Sequence, residues 1–131
     1  MKPLTAPLAW ALVIMGLCAI PGRDLPHFSF LEILQFDKWV HAGVFFILVI
    51  LCVRGFCRMK NPWTPRKAFF IAVLFAISYG GALEFLQEAV FADRTADLYD
   101  FIANAAGSLA ALPVYPYLAR TFPRLNLPMA K

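Results

Sequence analysis

Four apolar runs divide the chain, each broken off by prolines or by charge. Residues 4–21 hold no charged side chain, and Pro3, Pro7 and Pro21 punctuate the ends of the run. The second run follows Asp37 and Lys38 and reaches Cys57, interrupted by His41 and Arg54. The third extends over 68–91 with Glu84, Gln87 and Glu88 towards its far end. The fourth continues from Asp97 to Leu118, with Asp100 and Asn104 near its start. A helix needs about 20 apolar residues to cross the ~30 Å hydrocarbon core of a bilayer. The pattern therefore predicts an all-α integral membrane protein, a bundle of four transmembrane helices over 4–21, 38–57, 68–91 and 97–118 in a single domain, 1–131.

Composition agrees. Hydrophobic residues make up 61% of the chain and charged residues 15%, with a mean hydropathy of +0.68; soluble domains carry roughly 45–50% apolar and about 25% charged residues. A cleaved secretory signal is the alternative for the first run. Ala19-Ile20-Pro21 puts a proline where cutting would occur, so an uncleaved first helix is the expectation. Cys18, Cys52 and Cys57 lie in or beside apolar runs, without metal-knuckle or disulfide spacing, and read as packing residues. Pro113, Pro116, Pro123 and Pro128 are expected to end the fourth helix and let the chain trail along the membrane surface.

The net charge of +4 changes meaning once it is sorted by loop. Lys2, the cluster Arg54, Arg58, Lys60, Arg66 and Lys67, and the group Arg120, Arg124 and Lys131 fall on one side, with no acid among them. The other side holds Arg23, Lys38 and Arg94 and, counting helix ends, all eight acids. Lys and Arg mark cytoplasmic loops, so both termini are expected in the cytoplasm and the acidic connections outside. The basic residues flank membrane segments and carry no nucleic-acid recognition motif, so no nucleic-acid partner is expected. The bilayer itself is the first partner.

This orientation gathers polar residues at one depth near the outer leaflet. Asp37, Lys38 and His41 begin the second helix, Glu84, Gln87 and Glu88 end the third on one face, and Asp97, Asp100 and Asn104 begin the fourth. At 1.5 Å per residue, His41, Gln87 and Asp100 lie roughly 5–6 Å inside, and Glu84 and Asn104 about 10 Å inside as an expected pair. Ionisable groups within spanning helices mark functional sites by default. Each also has a plainer role available. Asp37 and Asp97 sit where acidic N-caps belong, Lys38 can snorkel to the interface, Arg94 can neutralise nearby acids and Glu88 can be solvated. Gly80, Gly81 and Gly107 are expected to serve helix packing.

The ordered set Asp37-Lys38-x-x-His41, Glu84-Phe85-Leu86-Gln87 and Arg94-x-x-Asp97-x-x-Asp100-x-x-x-Asn104-x-x-Gly107 resembles the signature of VanZ-like membrane proteins, over about residues 35–112. That family is named for a protein associated with low-level resistance to the glycopeptide antibiotic teicoplanin. The resemblance implies a bacterial inner-membrane location and a link to the cell envelope, and delivers no reaction.

Three readings stay open. In the first, Lys38, His41, Glu84, Gln87, Arg94, Asp97, Asp100 and Asn104 form a pocket for a lipid headgroup, a lipid-linked cell-wall precursor or a lipoglycopeptide. In the second, His41, Glu84 and Asp100 form the acid/base group of a hydrolase or transferase acting on a lipid-linked substrate. The same three could hold a divalent metal, although no metal-ligand motif assigns one and no cofactor is specified. In the third, the cluster is a buried network that fixes helix packing. The sequence is silent on oligomeric state.

Overall fold

The computed structural model describes residues 2–20, 36–90, 96–123 and 127–128. It is all-helical, with α1 at Thr5–Cys18, α2 at Phe36–Phe56, α3 at Pro65–Ala89 and α4 at Leu98–Thr121. By length and composition, α2 and α3 are apolar enough to cross a membrane. At 24 residues α4 is long enough but less apolar, because Asp100, Asn104 and Ser108 lie along its buried face.

Helix boundaries follow local chemistry. Thr64 caps α3, accepting a 3.4 Å hydrogen bond from the Lys67 amide, and Pro65 occupies the first helical position, where a missing N–H costs nothing. The helix therefore begins three residues before the expected boundary. By contrast, α1 has 14 residues and is shorter than the run 4–21. Its last amides turn back, Ala19 to Met15 and Ile20 to Leu17, because the residue before a proline disfavours helical geometry.

Pro113 and Pro116 lie inside the fourth helix, as the expected span 97–118 requires; α4 runs through both and ends at Thr121, three residues past the expected end. A proline inside a helix deprives the carbonyl four residues back of its donor. Membrane-type helices tolerate this where neighbouring elements compensate.

The helices α2, α3 and α4 pack against one another, α2 and α4 most extensively, while α1 leans chiefly on α2. Two long-range bonds seat α1: Trp10 Nε1 donates to the Val44 carbonyl at 2.9 Å, and the Tyr79 hydroxyl donates to the Ala11 carbonyl at 2.6 Å. Phe45, Leu48, Val49 and Val53 of α2 fill the centre. On α3 the stripe Ala68, Ala72, Ala76, Gly80, one residue per turn, is buried and lets neighbouring backbones come close. The outward faces are apolar too, with Leu12, Trp39, Phe70, Leu74, Phe85 and Leu109 exposed. These outward apolar faces are in keeping with α2 and α3 being long and apolar enough to cross a membrane.

Of the described glycines, Gly107 is the most tightly packed. A Cβ there would lie 2.6 Å from both the Cα and the carbonyl carbon of Ala42, so α4 rests directly on the backbone of α2. At Gly80 an added Cβ would lie 3.3 Å from Asn104 Cβ and from Phe45 Cε1, whereas at Gly81 it would meet Phe101 at an ordinary 3.5 Å. Gly43, also on α2, faces open space. Gly107→Ala is expected to cost about 3 kcal/mol of unfolding free energy in detergent micelles, the upper end for overpacking, because backbone must move. Gly43→Ala, measured beside it, is expected to be neutral or stabilising.

Candidate functional site

The two ends of the bundle carry opposite charge. Lys2, Arg54 and Arg58 line one cavity of about 280 Å³, while Arg66 and Arg120 line another of about 800 Å³, at the end where α2 and α4 finish and α3 begins. The acids Asp37, Glu84, Asp97 and Asp100 lie at the other end, where α2 and α4 begin and α3 finishes.

At that end the Lys38 ammonium is the hub. It donates to Asp37 Oδ2 at 2.9 Å, to Asp97 Oδ2 at 2.8 Å and to Asp100 Oδ1. Rather than snorkelling outward, Lys38 turns into the bundle, where two carboxylates of α4 compete successfully with water for its protons. Asp97 is the N-cap of α4: its Oδ1 accepts from the Tyr99 amide at 2.8 Å, and its own amide donates to Glu84 Oε2 at 3.0 Å. One residue thus ties α4 to α2 through its side chain and to α3 through its backbone. Its carboxyl precedes the helix, and the hydrogen bond from Lys38 holds it below the usual carboxylate range. Asp37 lies inside the first turn of α2, exposed and bonded to Lys38.

Beneath this hub, His41 Nδ1 and Asn104 Oδ1 are 3.1 Å apart. An amide oxygen only accepts, so Nδ1 carries the proton in this contact. His41 Nε2 then faces Asp100 Oδ2 at 3.6 Å. The expected Glu84–Asn104 pair does not form, because each side chain has a nearer partner, the Asp97 amide for Glu84 and His41 for Asn104. Glu84, Asp100 and Asn104 are all buried. Ligand atoms of His41, Glu84 and Asp100 lie within 4.8 Å of one another, a grouping of side chains that could hold an ion.

Gln87 does not join the cluster. It is 2% exposed, and its Nε2 donates to the Cys18 carbonyl at 3.4 Å, satisfying the end of α1. Three residues from Glu84 is nearly a full turn, but the shortfall rotates Gln87 towards α1. Glu88 is exposed, and Arg94 lies outside the described residues.

Sequence reasoning missed the 800 Å³ groove between α3 and α4. Phe69, Val73, Leu109 and Tyr115 line it, Pro116 stands at its wall, and Arg66 and Arg120 stand at its mouth. Its one signal is the pair of prolines within an apolar run. Among the described residues, the buried Tyr115 hydroxyl and Arg54 Nε have no hydrogen-bond partner. Comparison of the chain with protein-family models, with curated proteins and with solved structures finds no match in any of the three.

Removing the hub leaves three carboxylates without their shared cation. Lys38→Met is expected to cost about 2–3 kcal/mol at pH 7, between the values for exposed and buried ion pairs. A carboxyl whose folded pKa is depressed stabilises the fold above its unfolded value, about 3.9, and loses that contribution as pH falls through the folded value. The Lys38→Met deficit, read from unfolding in micelles, should therefore be complete at pH 7 and shrink below about pH 4.

Proposed function

We propose that the chain is a multi-pass protein of the bacterial inner membrane, similar in kind to VanZ-like proteins. Its four helices span the bilayer, both termini are cytoplasmic, and its polar cluster sits in the outer leaflet. There it binds the headgroup of a lipid or lipid-linked cell-wall precursor, or a lipoglycopeptide such as teicoplanin. The observation that carries this reading is the convergence of Lys38, His41, Glu84, Asp97, Asp100 and Asn104 from three helices at the end remote from the basic residues. Ionisable groups in such a setting are costly and are kept where they act on a ligand. Lys38 supplies the positive charge for a phosphate, and its side chain retains 21% exposure, enough to be reached. The carboxylates and Asn104 supply acceptors for hydroxyl and amide donors.

A second reading rests on an equally specific observation. Lys38, His41, Glu84, Asp97, Asp100 and Asn104 all have polar partners, as a purely structural network would require.

Binding of fluorescently labelled lipid-linked precursor, and of teicoplanin, to protein in nanodiscs separates the two. Ligand binding is expected to fall at least about tenfold, about 1.4 kcal/mol, in the Glu84→Ala, Asp100→Ala double variant and in a well-folded Glu84→Gln variant. Binding equal to that of the unaltered chain in both overturns the pocket. Full binding by Glu84→Gln combined with poor folding of Glu84→Leu identifies the cluster as structural.

A further inference from the structure

His41 and Asp100 meet in a way that ordinary hydrogen bonding leaves unfinished. Nδ1 of His41 is committed to Asn104 Oδ1 at 3.1 Å, which leaves Nε2 facing Asp100 Oδ2 at 3.6 Å. That distance is too long for a hydrogen bond. It is close to the roughly 3.3 Å that separates two donors on a tetrahedral ion with metal–ligand distances of about 2.0–2.1 Å. The other oxygen of Asp100 is taken by Lys38, so Oδ2 is the one left for a further partner.

Glu84 completes the set from the third helix. It is 7% exposed; Oε2 accepts from the Asp97 amide, and Oε1 accepts no hydrogen bond among the described residues. One ligand atom from each of His41, Glu84 and Asp100 lies within 4.8 Å of the other two, so side-chain rotations of about an ångström bring them onto one ion. The outer partners are also those of a metal site. A ligating histidine typically donates its second ring N–H to an oxygen that fixes its orientation, and ligating carboxylates are themselves hydrogen-bonded. Asn104 does the first for His41; Lys38 and the Asp97 amide do the second for Asp100 and Glu84. Charge points the same way: among the described residues, Asp37, Asp97 and Asp100 share a single lysine, and Glu84 accepts from the Asp97 amide with no ion pair of its own.

We propose that His41, Glu84 and Asp100 bind one divalent transition-metal ion of the zinc type through Nε2 and two carboxylates. The mixed nitrogen and oxygen set suits zinc better than magnesium or calcium, which prefer oxygen alone. Three protein ligands leave a fourth position open, as in zinc sites that act on a bound molecule. A phosphate or carboxylate oxygen of the proposed headgroup fits that position. The ion site shares its residues with the proposed pocket but is testable without the pocket's ligand.

The test uses full-length protein, stripped with chelator and placed in phosphatidylcholine nanodiscs, titrated calorimetrically with Zn²⁺ alone. One ion per chain is expected. Its affinity should fall more than about 100-fold in His41→Gln and about 10–100-fold in Asn104→Ala, the range for an outer-shell partner. Unchanged affinity in His41→Gln, or no saturable binding by the unaltered chain, overturns the proposal. X-ray absorption at the zinc edge of the unaltered protein needs no variant to fold. A shell of nitrogen and oxygen at about 2.0–2.1 Å is expected, and sulfur at about 2.3 Å, from the cysteines, overturns it. His41-dependent zinc binding without precursor binding supports the ion site and overturns only the headgroup reading.

Discussion

The polar end of this bundle depends on how one ammonium group is satisfied. In a setting this apolar, a charged side chain must either reach water or be matched by opposite charge and hydrogen bonds. Lys38 takes the second course, engaging Asp37 on its own helix and Asp97 and Asp100 on α4. Those contacts bring the start of α4 against the start of α2, and the Asp97 amide then reaches across to Glu84 on α3. One turn along α2 from Lys38, α4 approaches the backbone of Ala42 so closely at Gly107 that no side chain fits between them. The contact between α2 and α4 is thus electrostatic at its polar end and steric at Gly107.

From that arrangement follows the position of His41. Once Lys38 has drawn in Asp100, and Asn104 lies one turn deeper on α4, His41 is held between the two, with one ring nitrogen satisfied and the other turned to a carboxylate. A network built only to hold helices together gains little from such a juxtaposition, because amide or hydroxyl pairs would serve at lower desolvation cost. The proposed site accounts for it by giving the facing groups a common partner.

The helical architecture was legible because the apolar runs and their charged punctuation report directly on element length. Asp97 as the cap of α4, and the gathering of His41, Glu84, Asp100 and Asn104, were equally legible, since up-and-down connectivity fixes which helix ends meet. What a single sequence does not carry is the rotation of each helix about its axis. Gln87 therefore turns to α1 instead of the cluster, and Glu84 and Asn104 find other partners than each other. Lys38 illustrates a second limit: an interfacial lysine reaches headgroups or carboxylates according to what the neighbouring helix presents.

In the proposed topology the Lys38-centred end faces the outside of the cell while the basic end stays within. Tyr99, exposed beside the cluster, and Arg120, exposed at the opposite end, offer reporter positions. In a background with Cys18, Cys52 and Cys57 replaced by alanine, Tyr99→Cys should react with a membrane-impermeant maleimide in intact spheroplasts. Arg120→Cys should react only after the membrane is opened. Labelling of Arg120→Cys in intact spheroplasts, with Tyr99→Cys protected, would reverse that topology and place the Lys38 cluster on the cytoplasmic side.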